Sequence, residues 1–196
     1  MARAPFLFDL DGTLCDSRPW YAQVLGACGA RRTDALRQLQ EGSTPFGLAE
    51  ALGISRGRFM DSCAEAIEGL PLFPGVTETL ETLVTREVPL GLVTNLAPRL
   101  VNLVLEGHHL QDFFRTVVPG RRGVPPKPHP ASLRRALRHL DVRPSEEIFY
   151  AGDTDDDGRA ACAAGISFAW VSYGYGTERP ASAAATLHRF ADVLDL

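Results

Sequence analysis

The stretch Phe-Leu-Phe-Asp-Leu-Asp-Gly-Thr, residues 6–13, determines how the rest of the chain is interpreted. Three apolar residues come first, and the acidic residues Asp9 and Asp11 follow at once. A short apolar run of this kind fits a strand that is buried on both faces of a parallel sheet. Gly12 permits the tight turn that brings backbone close to a ligand. The pattern therefore predicts a first strand with two carboxylates at its carboxyl end.

Further apolar runs and helical patterns alternate along the chain. The runs cover residues 89–93, 116–118, 148–151 and 167–171, and apolar positions at helical spacing cover residues 75–86, 98–107 and 130–140. Strands that alternate with helices are typical of βαβ units around a parallel sheet. We therefore expect an α/β fold with a Rossmann-like parallel sheet.

The segment of residues 16–72 interrupts this alternation. It contains no convincing strand, and its pattern predicts helices around residues 19–28, 34–40, 46–52 and 56–67, with Thr33 and Ser55 as helix N-caps. We interpret the segment as a small all-helical cap domain inserted after the first strand. Residues 1–15 and 73–196 would then form the catalytic core.

Composition excludes several classes of protein. The 196 residues are 45% hydrophobic and 22% charged, which is an ordinary globular mixture. The net charge is −4 and no basic stripe is present, so nucleic acid is not an expected partner. The short pairs Arg31-Arg32 and Arg121-Arg122 are interpreted as solvated surface. No apolar run approaches the roughly 20 residues of a membrane helix, and no signal peptide is recognisable, so a cytoplasmic location is expected.

Four polar clusters follow predicted strands. They are Asp9 with Asp11, Thr94 with Asn95, Lys127, and the acidic run 153–157. In an open α/β sheet, ligands bind at the carboxyl ends of the strands, so these clusters are expected to converge on one pocket. Grouped carboxylates need a cation, and Mg²⁺ prefers hard oxygen ligands together with substrate phosphate. The lysine and the threonine hydroxyl suit phosphate oxygens.

These motifs resemble those of the haloacid dehalogenase superfamily, in its aspartate-nucleophile phosphatase branch and its phosphoglycolate-phosphatase-like group. Residues 8–17, 92–95, 127–130 and 152–157 match the four motifs of the family in order, and the resemblance covers nearly the whole chain. The implied activity is magnesium-dependent hydrolysis of a small phosphorylated metabolite, phosphoglycolate-like or a sugar phosphate. A monomer or a homodimer is expected.

The resemblance also implies roles for individual residues. Asp9 would be the nucleophile and Asp11 the general acid and base, while Thr94, Asn95 and Lys127 would bind phosphate or substrate. Mg²⁺ would be held by Asp9, the Asp11 backbone carbonyl and Asp153, with Asp157 in a supporting role.

Other interpretations stay open at this point. A phosphomutase of the same fold would share all four motifs, and a non-catalytic phosphate-binding module could retain the fold. A haloacid dehalogenase would need no magnesium, and Asp11 argues against it. The acidic run 153–157 could also begin a helix, which would explain Asp155 and Asp156. His129 is interpreted as a surface residue, and Arg37, Arg56 and Arg58 are candidates for binding a substrate carboxylate.

Overall fold

A computed structural model describes residues 3–41 and 43–196, and a single parallel sheet organises them. Its strands lie in the spatial order β3-β2-β1-β4-β5-β6, and every neighbouring pair is parallel. The predicted α/β class and the Rossmann-like sheet are confirmed. The strands are β1 (Phe6–Phe8), β2 (Leu90–Val93), β3 (Thr116–Val118), β4 (Phe149–Gly152), β5 (Ser167–Val171) and β6 (Ala183–Leu187).

Helices connect the strands from β1 to β5, and several of them fill the long interval between β1 and β2. The helical patterns predicted in the core agree with the structure to within one residue at each end, and Ser55 is an N-cap as expected. Thr33 is not an N-cap, because its helix begins at Arg32, two residues before the predicted start, with Arg31 in the cap position. The helices are α1 (Ser17–Ala27), α2 (Arg32–Gln40), α3 (Pro45–Ala51), α4 (Arg56–Glu65), α5 (Val76–Thr85), α6 (Pro98–Gly107), α7 (Ala131–His139) and α8 (Asp155–Ala164).

The strand order places the expected site at the centre of the sheet. Strand β1 lies between β2 and β4, so the direction in which successive strands are added reverses there. In doubly wound sheets such a reversal opens a crevice at the carboxyl ends of the strands. Phe8, the last residue of β1, is fully buried, and Asp9 follows it at the edge of this crevice.

Strand β6 was not predicted. Its sequence, Ala-Ala-Ala-Thr-Leu, is mostly alanine, which has a low preference for strands, and the alternation of apolar and polar residues is weak. The strand forms because it pairs with β5 at the edge of the sheet. Tertiary pairing, and not local preference, decides its conformation.

The segment between β1 and α5 is helical, as expected, and its two ends lie together. Cys15 forms an isolated bridge with Leu72, and the Asp16 backbone N–H donates to the Pro71 carbonyl at 2.9 Å. The Phe73 N–H donates to the Leu14 carbonyl at 2.9 Å. The chain therefore leaves the sheet and returns to it at one place. The division into core and cap domains stays a prediction.

Within the described ranges, no helix has both the length and the apolar character needed to cross a bilayer.

Candidate active site

Lys127 lies at the centre of a buried cluster of polar side chains. Its Nζ donates to Asp9 Oδ1 at 2.7 Å, to Asp157 Oδ1 at 2.6 Å and to the Tyr150 hydroxyl at 2.7 Å. All four side chains are buried. A buried ammonium group is stable only when it is paired and fully hydrogen-bonded, and here each of its three protons has an acceptor. The predicted convergence of Asp9 and Lys127 is therefore observed.

Asp153 is fixed by β5 and by the loop that follows it. Its Oδ2 accepts a hydrogen bond from the Tyr175 backbone N–H at 2.7 Å, and its carbonyl accepts one from Trp170 Nε1 at 2.9 Å. Gly12 packs directly against its carboxylate with φ +79°, and a Cβ at that position would overlap Asp153 Oδ2. The glycine in the first motif is therefore required by the close approach of two loops.

Three carboxylates form the acidic group of the site. Asp9, Asp153 and Asp157 each offer an oxygen, and these oxygens lie within 4.8 Å of one another. All three residues are buried, and the only ammonium group among them is that of Lys127. Three carboxylates against one lysine leave excess negative charge in a region of low dielectric. This all-oxygen set fits a hard divalent cation such as Mg²⁺.

The protonation equilibria reflect this crowding. Burial raises the pKa of Asp9 to about 6, although the Lys127 charge opposes the shift. Burial, and then the charge of Asp157, raises the pKa of Asp153 to about 8. The pKa of Asp157 lies below its usual range, because Lys127 and Thr154 outweigh the effect of its burial. Burial alone would lower the pKa of Lys127, but the charges of Asp157 and Asp9 raise it above its ordinary value. Asp157 therefore forms a stronger ion pair with Lys127 than Asp9 does, and the carboxylate of Asp153 is left without a cation.

Asp11 stands between the sheet and the helical segment. Its Oδ2 accepts a hydrogen bond from the Tyr21 hydroxyl of α1 at 3.3 Å. Removal from water raises the pKa of Asp11 to about 7, and the charge of Asp9 adds to the shift. A carboxyl group with a pKa near neutrality can both give and take a proton. This is the behaviour expected of a general acid and base.

Thr94 and Asn95 follow β2 and take different partners. Thr94 is buried, and its hydroxyl accepts a hydrogen bond from the Leu96 backbone N–H at 3.2 Å. The amide of Asn95 pairs with the backbone of Lys127, since Oδ1 accepts from the Lys127 N–H at 2.9 Å and Nδ2 donates to its carbonyl at 3.3 Å. Asn95 therefore holds the lysine loop in place. That it also contacts substrate stays a prediction.

A cavity of about 590 Å³ connects these groups with the helical segment. Asp9, Asp11, Thr94, Lys127 and Asp153 line its floor. Its opposite wall comes from helices α1 to α3 and the residues before α3, and it includes Tyr21, Leu39, Thr44 and Phe46. The helical segment thus lies over the carboxyl edge of the sheet, and the half-open space between them is large enough for a small molecule.

Three tyrosines contribute to the site, and none of them was among the site residues predicted from the sequence. Tyr150 points from β4 to Lys127, Tyr175 presents its backbone N–H to Asp153, and Tyr21 reaches Asp11 from α1. The run Gly174-Tyr175-Gly176 directly after β5 gave one usable signal, because it lies at the same sheet edge as the motifs. Tyr150 gave none, since an aromatic residue in a buried strand fits the core equally well. From the sequence, Tyr21 could line the mouth of the pocket or pack within the helical segment, and core packing was the favoured interpretation.

The acidic run 153–157 serves two purposes in the structure. Asp153, Asp156 and Asp157 line the cavity, and Asp155, Asp156 and Asp157 form the first turn of α8. Asp155 and Asp156 are exposed there, as expected for negative charge near a helix N-terminus. His129 is exposed, and its Nδ1 accepts a hydrogen bond from the Ala131 N–H at 3.2 Å, so it is the surface residue that was expected.

Comparisons with known proteins agree with this geometry. Residues 6–171 match the model of the haloacid dehalogenase-like hydrolase family. A phosphoglycolate phosphatase of Pseudomonas syringae pv. tomato is 35% identical over 195 residues, covering 89% of this chain and 71% of the relative. One from Pectobacterium atrosepticum is 34% identical over 215 residues, covering 96% of this chain and 90% of the relative. The crystal structure of a HAD-superfamily hydrolase, subfamily IA, variant 1, from Geobacter sulfurreducens superposes with a TM-score of 0.76 at 25% identity, covering 99% and 96% of the two chains.

The match to the family model begins at β1 and ends with β5, so it contains all the residues that follow β1, β2, β3 and β4 to form the polar floor of the cavity. The resemblance inferred from the four motifs is confirmed, and the chain belongs to the haloacid dehalogenase-like hydrolases.

Proposed function

We propose that this protein is a magnesium-dependent phosphatase that hydrolyses a small phosphate monoester through a phosphorylated Asp9. The observation that carries the proposal is the arrangement around Asp9. Its carboxylate lies 2.7 Å from Lys127 Nζ in the floor of a cavity that Asp11 also lines. A nucleophile, a fixed positive charge and a proton donor therefore face the same cavity.

The reaction takes place in two steps. An oxygen of Asp9 attacks phosphorus, the bond between phosphorus and the ester oxygen breaks, and Asp11 gives its proton to the departing oxygen. In the second step Asp11 takes a proton from water, which attacks the phosphorus of the aspartyl phosphate. Inorganic phosphate leaves and the Asp9 carboxylate is restored. Asp11 ends with the proton that it had at the start.

Positioning and charge neutralisation account for most of the catalysis of phosphoryl transfer. Lys127 and the Thr94 hydroxyl would hold oxygens of the transferring group. Asp9, Asp153 and the Asp11 backbone carbonyl would hold Mg²⁺, which supplies positive charge beside the phosphoryl oxygens when it is bound. Asp157 keeps Lys127 in place through its ion pair at 2.6 Å.

The size of the cavity and the names of the relatives support a small metabolite as the substrate. A volume of about 590 Å³ beneath the helical segment suits a metabolite. Relatives named as phosphoglycolate phosphatases support a phosphoglycolate-like compound, and a sugar phosphate would also fit.

Asp9→Asn tests the nucleophile. The amide has nearly the same shape as the carboxylate but cannot form an acyl phosphate, so turnover of p-nitrophenyl phosphate should be lost while the thermal unfolding temperature stays close to that of the wild type. Asp155→Asn removes an exposed carboxylate from the first turn of α8 and serves as the matched control. If the Asp9 variant retains more than about a tenth of the wild-type rate, the proposed nucleophile is wrong.

Removal of divalent cations tests the metal. Because three buried carboxylates share one lysine, excess chelator should abolish turnover and added Mg²⁺ should restore it. Ca²⁺ should inhibit, since it takes more ligands at longer distances and distorts the alignment of nucleophile and leaving group. Full activity in chelator would remove the metal from the proposal.

A further inference from the structure

Helix α1, the first helix of the helical segment, begins without a cap of its own. Asp16 occupies the N-cap position, but within the described part of the chain its side chain makes no hydrogen bond to the first turn. The first N–H groups of a helix have no partner inside the helix. Pro19 has no N–H at all, so the N–H of Arg18 in particular needs an acceptor from elsewhere in the chain.

Tyr175 supplies this acceptor from the loop that follows β5. Its hydroxyl accepts a hydrogen bond from the Arg18 N–H at 2.9 Å and shares another with Ser17 Oγ at 2.9 Å. The Arg18 guanidinium lies over the Tyr175 ring, 4.0 Å from the ring centre, which adds a cation–π contact. A residue close to the end of the chain therefore caps the helix that follows the first strand.

The backbone of the same loop holds the carboxylate of Asp153. The Tyr175 N–H donates to Asp153 Oδ2 at 2.7 Å. Gly174 and Gly176 pack so closely on Asp153 that a Cβ at either position would overlap its atoms. At such close contact one group cannot shift alone, so a displacement of this loop would also move the Asp153 carboxylate.

Tyr175 thus joins two parts of the site that are remote in sequence. Its backbone holds Asp153 at the end of β4, and its hydroxyl holds the start of α1. Tyr175, Arg18 and Asp153 all line the cavity above Asp9. The proposed reaction requires no proton transfer by this hydroxyl, and its hydrogen bonds to α1 account for its orientation.

We propose that Tyr175 is a positioning residue that raises the metal affinity of Asp153 through the contact between its hydroxyl and helix α1. This inference rests on the proposed function, in which Asp153 is a ligand of Mg²⁺. Groups that orient a metal ligand typically change metal affinity by about 10- to 100-fold. Coupling between two sites is reciprocal, so metal binding should strengthen the contact between Tyr175 and α1 by the same factor.

Tyr175→Phe tests the proposal, because it removes the hydroxyl but keeps the ring and the backbone N–H that holds Asp153. Mn²⁺ serves as the probe, and electron paramagnetic resonance measures the free ion. The dissociation constant of Mn²⁺ should rise about tenfold in the variant. With p-nitrophenyl phosphate, the Mg²⁺ concentration for half-maximal activity should rise by a similar factor, whereas kcat at saturating Mg²⁺ should change less than about twofold.

Hydrogen exchange at the Arg18 amide tests the reciprocal effect without turnover. In the wild type this N–H is bonded to the Tyr175 hydroxyl, so saturating Mg²⁺ should slow its exchange, by up to about tenfold if the coupling has the expected size. In Tyr175→Phe the acceptor is absent, and added Mg²⁺ should leave the exchange rate unchanged. Nuclear magnetic resonance resolves this single amide.

Two variants separate positioning from a general loss of stability. Tyr173→Phe removes a hydroxyl from the same loop, one that donates to the Thr13 carbonyl at 3.0 Å, and the effect of Mg²⁺ on Arg18 should survive. Ser55→Ala removes the cap of α4 in the same helical segment. Its Mn²⁺ affinity should equal that of the wild type, even where its stability falls as much as that of Tyr175→Phe.

The inference is overturned if wild type and Tyr175→Phe bind Mn²⁺ equally, or if Mg²⁺ slows exchange at Arg18 by the same factor in both. Either result, with turnover still dependent on Mg²⁺, leaves the phosphatase proposal intact. Conversely, a protein that shows the coupling but releases no phosphate from any ester would retain the role of Tyr175 and refute the proposed reaction. A wild type that binds no Mn²⁺ would contradict both the inference and the metal site.

Discussion

Asp11 protonates the leaving oxygen in the first step of the proposed reaction and takes a proton from water in the second. The rate of the first step depends on this protonation to an extent set by the leaving group. An alkoxide leaves only with a proton, whereas p-nitrophenolate is stable enough to leave without one. Asp11→Asn should therefore slow the cleavage of both esters, but to different extents. The fold-reduction in rate should be at least about ten times larger for the alkyl phosphate than for p-nitrophenyl phosphate. Single-turnover measurements of the first step would show this difference.

The same variant has a second expected property. The introduced amide keeps the shape of the side chain and can still pair with Tyr21, so inorganic phosphate should bind with nearly unchanged affinity. Equal losses of rate for the two esters would exclude Asp11 as the proton donor. The control is Asp16→Asn, which changes a neighbouring carboxylate outside the cavity lining.

At the residue scale, the sequence predicted the chemically reactive side chains of the site better than the residues that hold those side chains in position. Asp9, Asp11 and Lys127 come together as expected, because each follows a strand that ends at the same sheet edge. Tyr150 was missed because an aromatic residue within a buried strand fits the core equally well, and only the three-dimensional position of its hydroxyl, 2.7 Å from Lys127 Nζ, reveals its role. Contacts between residues remote in sequence leave no local pattern.

The start of α8 connects helix stability with the site. Thr154 and Asp157 form a capping box, in which the Thr154 hydroxyl accepts from the Asp157 N–H and the Asp157 carboxylate accepts from the Thr154 N–H at 3.0 Å. The same carboxylate pairs with Lys127. Thr154→Ala should lower the free energy of unfolding by about 0.5–2 kcal/mol and should also reduce turnover, because Asp157 loses one of its anchors.

Ser55→Ala provides the matched control. Ser55 caps α4 in the helical segment, where its hydroxyl accepts from the Arg58 N–H at 3.3 Å, and it does not line the active-site cavity. A similar loss of stability is expected there, with turnover of p-nitrophenyl phosphate unchanged. Urea unfolding and steady-state kinetics measured on both variants separate the two effects. If turnover falls equally in both, the capping box does not support the site.

Elements differed in how well they could be predicted. Helix α6 has the bounds that its sequence suggested, since a proline at its start and apolar residues at helical spacing agree on one structure. Strand β6 could not be recognised, because alanine carries little preference and only the neighbouring β5 determines its pairing. An element can be predicted from sequence when its terminal residues and its apolar spacing indicate the same structure. An edge strand whose residues have little preference for strands forms only by pairing with the rest of the sheet, so its sequence does not reveal it.

For the whole molecule, the position of the helical segment predicts which substrates are accepted. Helices α1 to α3 and the residues before α3 form one wall of the cavity over Asp9, so a phosphate group must pass between this wall and the sheet to reach the nucleophile. Small esters should be hydrolysed at least about a hundredfold more efficiently, in kcat/KM, than a phosphoserine on a folded protein. Comparison of an alkyl phosphate with a folded phosphoprotein and its unfolded peptide measures this. Efficient release of phosphate from the folded protein, with small esters ignored, would contradict it.

The paired ends of the helical segment bear on how such a protein could change during evolution. Residues 14–16 and 71–73 lie side by side, joined by backbone hydrogen bonds at 2.9 Å. Closing a loop between two points that are already adjacent becomes only slowly more unfavourable as the loop lengthens. Helices can therefore be gained, lost or exchanged at this single junction while the register of the sheet is preserved. Descendants of one ancestral gene could in this way acquire new substrates by recombination at the junction, while inheriting the same catalytic carboxylates.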